Sequence, residues 1–139
     1  MPAACPLQSP GAGSMSVANV IVADDEALLR WAISQRLLRD GHVVTETGDG
    51  AATLAAIDAV EAPAVVVLDV KLPDMPGLAV LQEIRKRRPD VGVVMMTAYW
   101  ASEALAEARR LGVRDLFAKP LDLDRMAAAV SAAKELGTC

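Results

Sequence analysis

The sequence predicts a doubly wound α/β sandwich, a five-stranded parallel sheet covered by helices on both faces. Two observations carry that expectation. Runs rich in β-formers alternate strictly with helix-like segments, five of each, and such alternation is satisfied by parallel strands joined through crossover helices. Three of the runs, VANVIVA, AVVVL and GVVMMT, are almost wholly apolar, as strands buried on both faces must be.

The elements follow in order. Residues 17–23 (VANVIVA) read as the first strand and residues 26–39 (EALLRWAISQRLLR) as an amphipathic helix stopped by Gly41, with Trp31 packed at least in part against the sheet. HVVTET at 42–47 is a more polar second strand, suited to a sheet edge; His42, the single histidine, has no ligand cluster beside it and reads as structural or solvent-facing. Residues 50–60 form an Ala-rich helix ending before Pro63. AVVVL at 64–68 is the third strand, and 77–88 a helix stopped by Pro89, whose terminal Arg85-Lys86-Arg87-Arg88 suits the negative end of the helix dipole. GVVMMT at 92–97 is the fourth strand, and the helix at 102–111 stops at Gly112. A short strand at 114–118 leads to a last helix, 122–136, with Asp122 at its N-cap.

Composition narrows the function. The net charge of −4 argues against direct binding of nucleic acid. No apolar run approaches the roughly 18 residues of a membrane span. Cys5 and Cys139 lie at opposite ends and suggest neither a disulfide framework nor a metal site. Residues 1–16 (MPAACPLQSPGAGSMS) lack the cationic start and apolar centre of a secretory signal and read as a disordered lead-in or cloning remnant, with Met15 an alternative start. The expected location is the cytoplasm, and the domain spans 17–137.

In open α/β sheets ligands bind beyond the carboxyl ends of the strands. Strand one ends in Asp24-Asp25-Glu26, strand three in Asp69, strand four in Thr97 and strand five in Lys119-Pro120. Neighbouring carboxylates raise one another's pKa unless a cation joins them, and Lys119 alone brings too little positive charge. A hard divalent ion, most naturally Mg²⁺, would complete the site. A carboxylate can also act as a nucleophile and form an aspartyl phosphate, with the metal, Lys119 and the Thr97 hydroxyl as the electrophilic partners that phosphoryl transfer needs. One of Asp24 and Asp25 is also expected to cap the first helix.

With VIVADDE, VVVLDVKLPDMPG, VVMMTAY and LFAKPL in place, the sequence resembles a response-regulator receiver domain of bacterial two-component systems, over residues 17 to about 136. The segments LLRWAISQRLL, MMTAYWASEALAEA and KPLDLDRMAAAV are most similar to receivers of the nitrogen-regulation (NtrC) type. The resemblance implies a flavodoxin-like sheet of order 2-1-3-4-5. It makes Asp69 the phosphoacceptor, with Asp25, Asp69 and the Lys71 backbone carbonyl as Mg²⁺ ligands and Asp24 acting through water. Thr97 would contact the phosphoryl group, Lys119 would neutralise it, and the Lys119-Pro120 peptide would be cis. The implied phosphodonor is a sensor histidine kinase or a histidine phosphotransfer protein. The implied output face is the fourth helix, fifth strand and fifth helix, which could also support a homodimer. NtrC-type receivers usually precede an ATPase that activates transcription, so the chain reads as either a stand-alone receiver or a fragment.

Three positions depart from the family pattern. Leu116 stands where many members carry Tyr or Phe, Leu121 replaces a common Phe, and Tyr99 follows Thr97 by two residues, where a bulky ring could hinder the water that removes the phosphoryl group. Phe117 alternates to the opposite face from Leu116 and reads as core. Trp100, at the start of the fourth helix, reads either as a partner contact, which an exposed Trp favours, or as incidental. Two other functions compete. An aspartyl-nucleophile phosphatase would need a second Asp two residues after the first, where Lys71 stands; a degenerate receiver would bind partners without phosphorylation. Dinucleotide binding is excluded by the absence of G-x-G-x-x-G after the first strand.

Overall fold

The computed structural model describes residues 17–98 and 102–138. Its elements run β1 (Asn19–Ala23), α1 (Ala27–Arg39), β2 (Val43–Thr47), α2 (Gly50–Ala59), β3 (Ala64–Asp69), α3 (Gly77–Arg87), β4 (Gly92–Thr97), α4 (Ser102–Arg110), β5 (Asp115–Ala118) and α5 (Leu123–Thr138). The strands form one parallel sheet in the order β2-β1-β3-β4-β5. The expected fold class is borne out, and the element boundaries shift by no more than two residues.

Strand alternation divides the interior into two cores. Val20, Val22, Val65, Val67, Val94 and Met96 point to one face, where Ile33 and Leu37 of α1 and Met126 and Val130 of α5 cover them. Ile21, Val66, Leu68, Val93 and Met95 point to the other, under Ile57 of α2, Leu81 and Ile84 of α3 and Ala108 of α4. Phe117 joins the first core and Leu116 the second, as alternation along β5 requires. β3 and β4 are buried along their whole length, whereas β2 exposes Val43, Thr45 and Glu46 at the sheet edge.

Helix ends follow local chemistry. Gly41 and Gly112 take φ of 88° and 79°, left-handed values that suit glycine and let the chain leave α1 and α4. Asp122 Oδ1 accepts from the Asp124 and Arg125 amides, the expected cap of α5. At α1 the expectation needs correction: Glu26 is the N-cap residue and makes no side-chain cap, while Asp24 Oδ1 accepts from the Glu26 amide within the preceding turn. Trp31 is 55% exposed, together with Leu28, because they lie on the side of α1 away from Ile33 and Leu37. His42 is buried and structural; its Nδ1 accepts from the Ala18 amide at 2.9 Å. The readings of residues 1–16, Tyr99, Trp100 and Cys139 lie outside the described residues. Among those described, no helix is long and apolar enough to cross a membrane.

Candidate functional site

Parallel register brings four strand ends to one rim. Ala23 lies beside Leu68, Asp69 beside Met96, and Thr97 beside Ala118, so the residues that end or follow these strands emerge together. The ladder runs past the strands themselves: Val70 N donates to Met96 O at 3.0 Å and Lys119 N to Thr97 O at 2.8 Å. Asp24 N likewise donates to Thr47 O at 3.1 Å, so Asp24 and Lys119, though outside the strands, are placed by sheet geometry.

The result is a cleft of about 1010 Å³ lined by Asp25, Glu26, Asp69, Lys71, Thr97 and Lys119, with an apolar flank of Leu29, Ala32, Pro120, Leu121 and Leu123. Asp24, Asp69 and Thr97 are buried, and Asp25 is exposed. The Lys119 ammonium lies 2.9 Å from Asp69 Oδ2, 2.9 Å from Glu26 Oε1 and 3.4 Å from Asp24 Oδ2. The other Asp69 oxygen accepts from the Lys71 amide at 3.0 Å. The peptide joining Lys119 to Pro120 is cis, as expected.

Electrostatics shows what the cleft lacks. Burial, with the nearby Asp69 charge, pushes the Asp24 carboxyl up to about 6, against the opposing pull of the Glu26 amide and Lys119. Burial also works against the Lys119 ammonium, yet its hydrogen bonds to Asp69 and Glu26 and the surrounding negative charge outweigh it and raise its pKa. Asp24, Asp25, Glu26 and Asp69 bring four negative charges against one from Lys119, a formal excess of three.

Carboxylate oxygens of Asp24, Asp25 and Asp69 come within 4.8 Å of one another. Asp24 Oδ2 is buried and accepts no hydrogen bond among the described residues. An all-oxygen donor set with excess negative charge and an orphaned acceptor fits a hard divalent cation such as Mg²⁺.

Asp25, Asp69, Thr97 and Lys119 thus line one cleft, and Asp24 lies buried next to it with its Oδ2 3.4 Å from the Lys119 ammonium. Two contributors were not singled out as site residues in the sequence. Glu26 supplies a second carboxylate to Lys119, and Arg30 holds the acidic turn from behind, donating through Nη1 to Asp24 O at 2.7 Å and through Nε to Glu46 Oε1 at 3.0 Å. The i,i+4 spacing of Glu26 and Arg30 suggests a mutual helix pair, whereas each instead serves a partner distant in sequence.

Comparison with known proteins gives the family. The sequence model for the response regulator receiver domain matches residues 20–131. The chain is 36% identical over 114 residues to the DNA-binding transcriptional regulator NtrC of Escherichia coli (strain K12), covering 82% of this chain and 24% of that protein. It therefore spans about a quarter of the length of that relative. Sporulation initiation phosphotransferase F of Bacillus subtilis (strain 168) is 31% identical over 114 residues, covering 81% of this chain and 90% of that one. The crystal structure of the receiver domain of NtrX from Brucella abortus superposes with a TM-score of 0.76 at 34% identity, over 84% of this chain and 98% of the other. With its five-stranded sheet and acidic cleft, the chain belongs to the response regulator receiver domain family of two-component signalling.

Proposed function

We propose that this domain is a phosphoryl-operated switch in which Asp69 is the acceptor. One observation carries the reading: Asp69 is held at 2.9 Å by Lys119, and its carboxylate lies within 4.8 Å of those of Asp24 and Asp25, near enough for all three to share one divalent cation. An Asp69 carboxylate oxygen attacks phosphorus, a new O–P bond forms, and the P–N bond of a phosphohistidine, or the P–O bond of a small acyl phosphate, breaks with its electron pair leaving on the donor. Lys119 is already in place to meet the incoming negative charge, and Thr97 borders the same space. Asp24, Asp25, Asp69 and the Lys71 backbone would hold Mg²⁺, which supplies charge neutralisation to the transferring group.

The domain promotes its own loading and does not turn over a separate substrate. Its donor is a sensor histidine kinase or a histidine phosphotransfer protein, and the apolar flank of the cleft with exposed Leu28 and Trp31 is suited to receive it. Loading shifts a pre-existing equilibrium of the face formed by α4, β5 and α5, which then changes partners or pairs with a second copy. In a longer chain of NtrC type this would regulate transcription, the receiver itself making no contact with DNA. All of this chemistry belongs to the cytoplasm.

Incubation with acetyl phosphate and MgCl₂ tests the reading by intact mass. The wild type gains about 80 Da, the mass of one phosphoryl group, and Asp69→Asn or omission of Mg²⁺ abolishes the gain. An unchanged wild-type mass would overturn it.

A further inference from the structure

The loop that follows Asp69 is fastened to a helix outside the cleft. Asp74 directs both carboxylate oxygens at the start of α2, Oδ1 accepting from the Gly50 amide at 2.7 Å and Oδ2 from the Ala51 amide at 2.9 Å. Beside this contact Met75 lies directly over Gly50. A Cβ at that glycine would stand 2.5 Å from Met75 Cγ and 2.7 Å from Sδ, closer than carbon and sulfur pack.

This arrangement exceeds what α2 needs for its own termination. Asp49 already caps the helix, its side chain accepting from the Ala52 amide at 2.7 Å. Asp74 instead reaches α2 from 23 or 24 residues away in sequence and ties it to a different part of the molecule. Two amide donors, Gly50 first and Ala51 second, hold its carboxyl below the usual carboxylate range, so the group stays ionised at neutral pH.

The other end of the loop closes on the site. Lys71 bridges Pro76 in antiparallel fashion, Gly77 N donates to Val70 O at 2.6 Å, and Lys71 N donates to Asp69 Oδ1 at 3.0 Å. An unbroken series of contacts therefore runs from the N-terminus of α2 through Asp74 and the Lys71–Pro76 bridge to the acceptor carboxylate.

We propose that Asp74 is a positioning residue: its paired hydrogen bonds to Gly50 and Ala51 latch the Asp69–Gly77 loop to α2 and fix Asp69 and the Lys71 backbone in the arrangement a divalent cation requires. The inference rests on the metal-binding reading of the cleft. Because coupling between two sites is reciprocal, a cation bound in the cleft is felt at the Gly50 and Ala51 amides.

Titration of the ¹⁵N-labelled chain with MgCl₂, followed by amide NMR, tests the latch in wild type, Asp74→Ala, Asp74→Asn and Asp49→Ala. In the wild type the Gly50 and Ala51 resonances move saturably with the same dissociation constant as that of Asp25. Asp74→Ala weakens Mg²⁺ binding roughly 10-fold, the lower end of the range for residues that orient metal ligands, and silences the α2 response. Asp74→Asn keeps one acceptor oxygen and falls between the two. Asp49→Ala removes a cap from the same helix at a cost of stability, yet leaves Mg²⁺ affinity within about two-fold of the wild type, because it does not touch the loop. Wild-type affinity in Asp74→Ala, or equal weakening in Asp49→Ala, would overturn the latch while leaving the metal site standing. A wild type that shows no Mg²⁺ response at any resonance would overturn the metal reading, and the latch with it.

Discussion

Lys119 stands 3.4 Å from the buried Asp24 carboxylate, yet the Asp24 Oδ2 it faces accepts no hydrogen bond among the described residues. Lys119 is already divided between Asp69 and Glu26, each at 2.9 Å. Without a cation, then, the chain holds a buried charge it does not fully satisfy, and that charge works against the folded state.

Replacing it should stabilise the metal-free protein. Asp24→Asn keeps an acceptor for the Glu26 amide and removes the charge, so unfolding at pH 7 without Mg²⁺ should become more costly by about 1–2 kcal/mol, allowing for partial screening. Denaturant titration checks this. An Asn variant no more stable than the wild type would show that the charge is adequately solvated.

The same group sets a pH dependence. Asp24 titrates near 6 in the folded chain, against 3.8 for an ordinary carboxylate. Between those values the folded state binds more protons than the unfolded state, so the Asp24 contribution to stability falls as pH rises from 4 to 6 and is level above. The gain in stability of Asp24→Asn over the wild type should therefore be largest at pH 7 and shrink toward pH 5, measured without Mg²⁺. A gain independent of pH would contradict the assignment.

Lys119 and Asp69 should be coupled. Lys119→Met leaves Asp69 and Asp24 buried without a cation and destabilises the chain, whereas Asp69→Asn in the same background removes much of that penalty. A double-mutant cycle should return a coupling of about 1–3 kcal/mol at pH 7. Additive losses would mean that the 2.9 Å pair contributes little.

Gly77 should tolerate no side chain. A Cβ there would stand 2.3 Å from Asp69 O and 2.7 Å from Val70 Cα, both backbone atoms that cannot swing away. Gly77→Ala should cost about 3 kcal/mol or more and slow phosphoryl uptake from acetyl phosphate, because relief of the clash displaces the acceptor strand. Near-native stability would show that the loop can yield.

Much of the site was legible because strands in a parallel sheet end in register. Asp69 and Thr97 each terminate an apolar run, and Asp24 and Lys119 follow one, so their place at the carboxyl rim could be read before any contact was known. Glu26, Arg30 and Asp74 could not be read the same way. Their partners are Lys119, the Asp24 carbonyl and the amides of Gly50 and Ala51, and neither strand periodicity nor helix spacing encodes those directions. Trp31 lies largely outside the core for a related reason. A helix that is apolar around much of its circumference does not reveal which apolar residues face the core, and packing of Ile33 and Leu37 left Trp31 and Leu28 outside.

The sequence by itself determined the fold class, the five strands and helices, and the group of residues at the strand ends, because periodicity and turn chemistry are local properties. Only the tertiary structure decided how charge is shared there. Lys119 is divided among three acids, Asp24 keeps a buried oxygen unsatisfied, and Asp74 ties the acceptor loop to α2. Electrostatic and hydrogen-bond energies depend on separations of a few ångströms between groups far apart in the chain, and those separations exist only once the sheet has assembled.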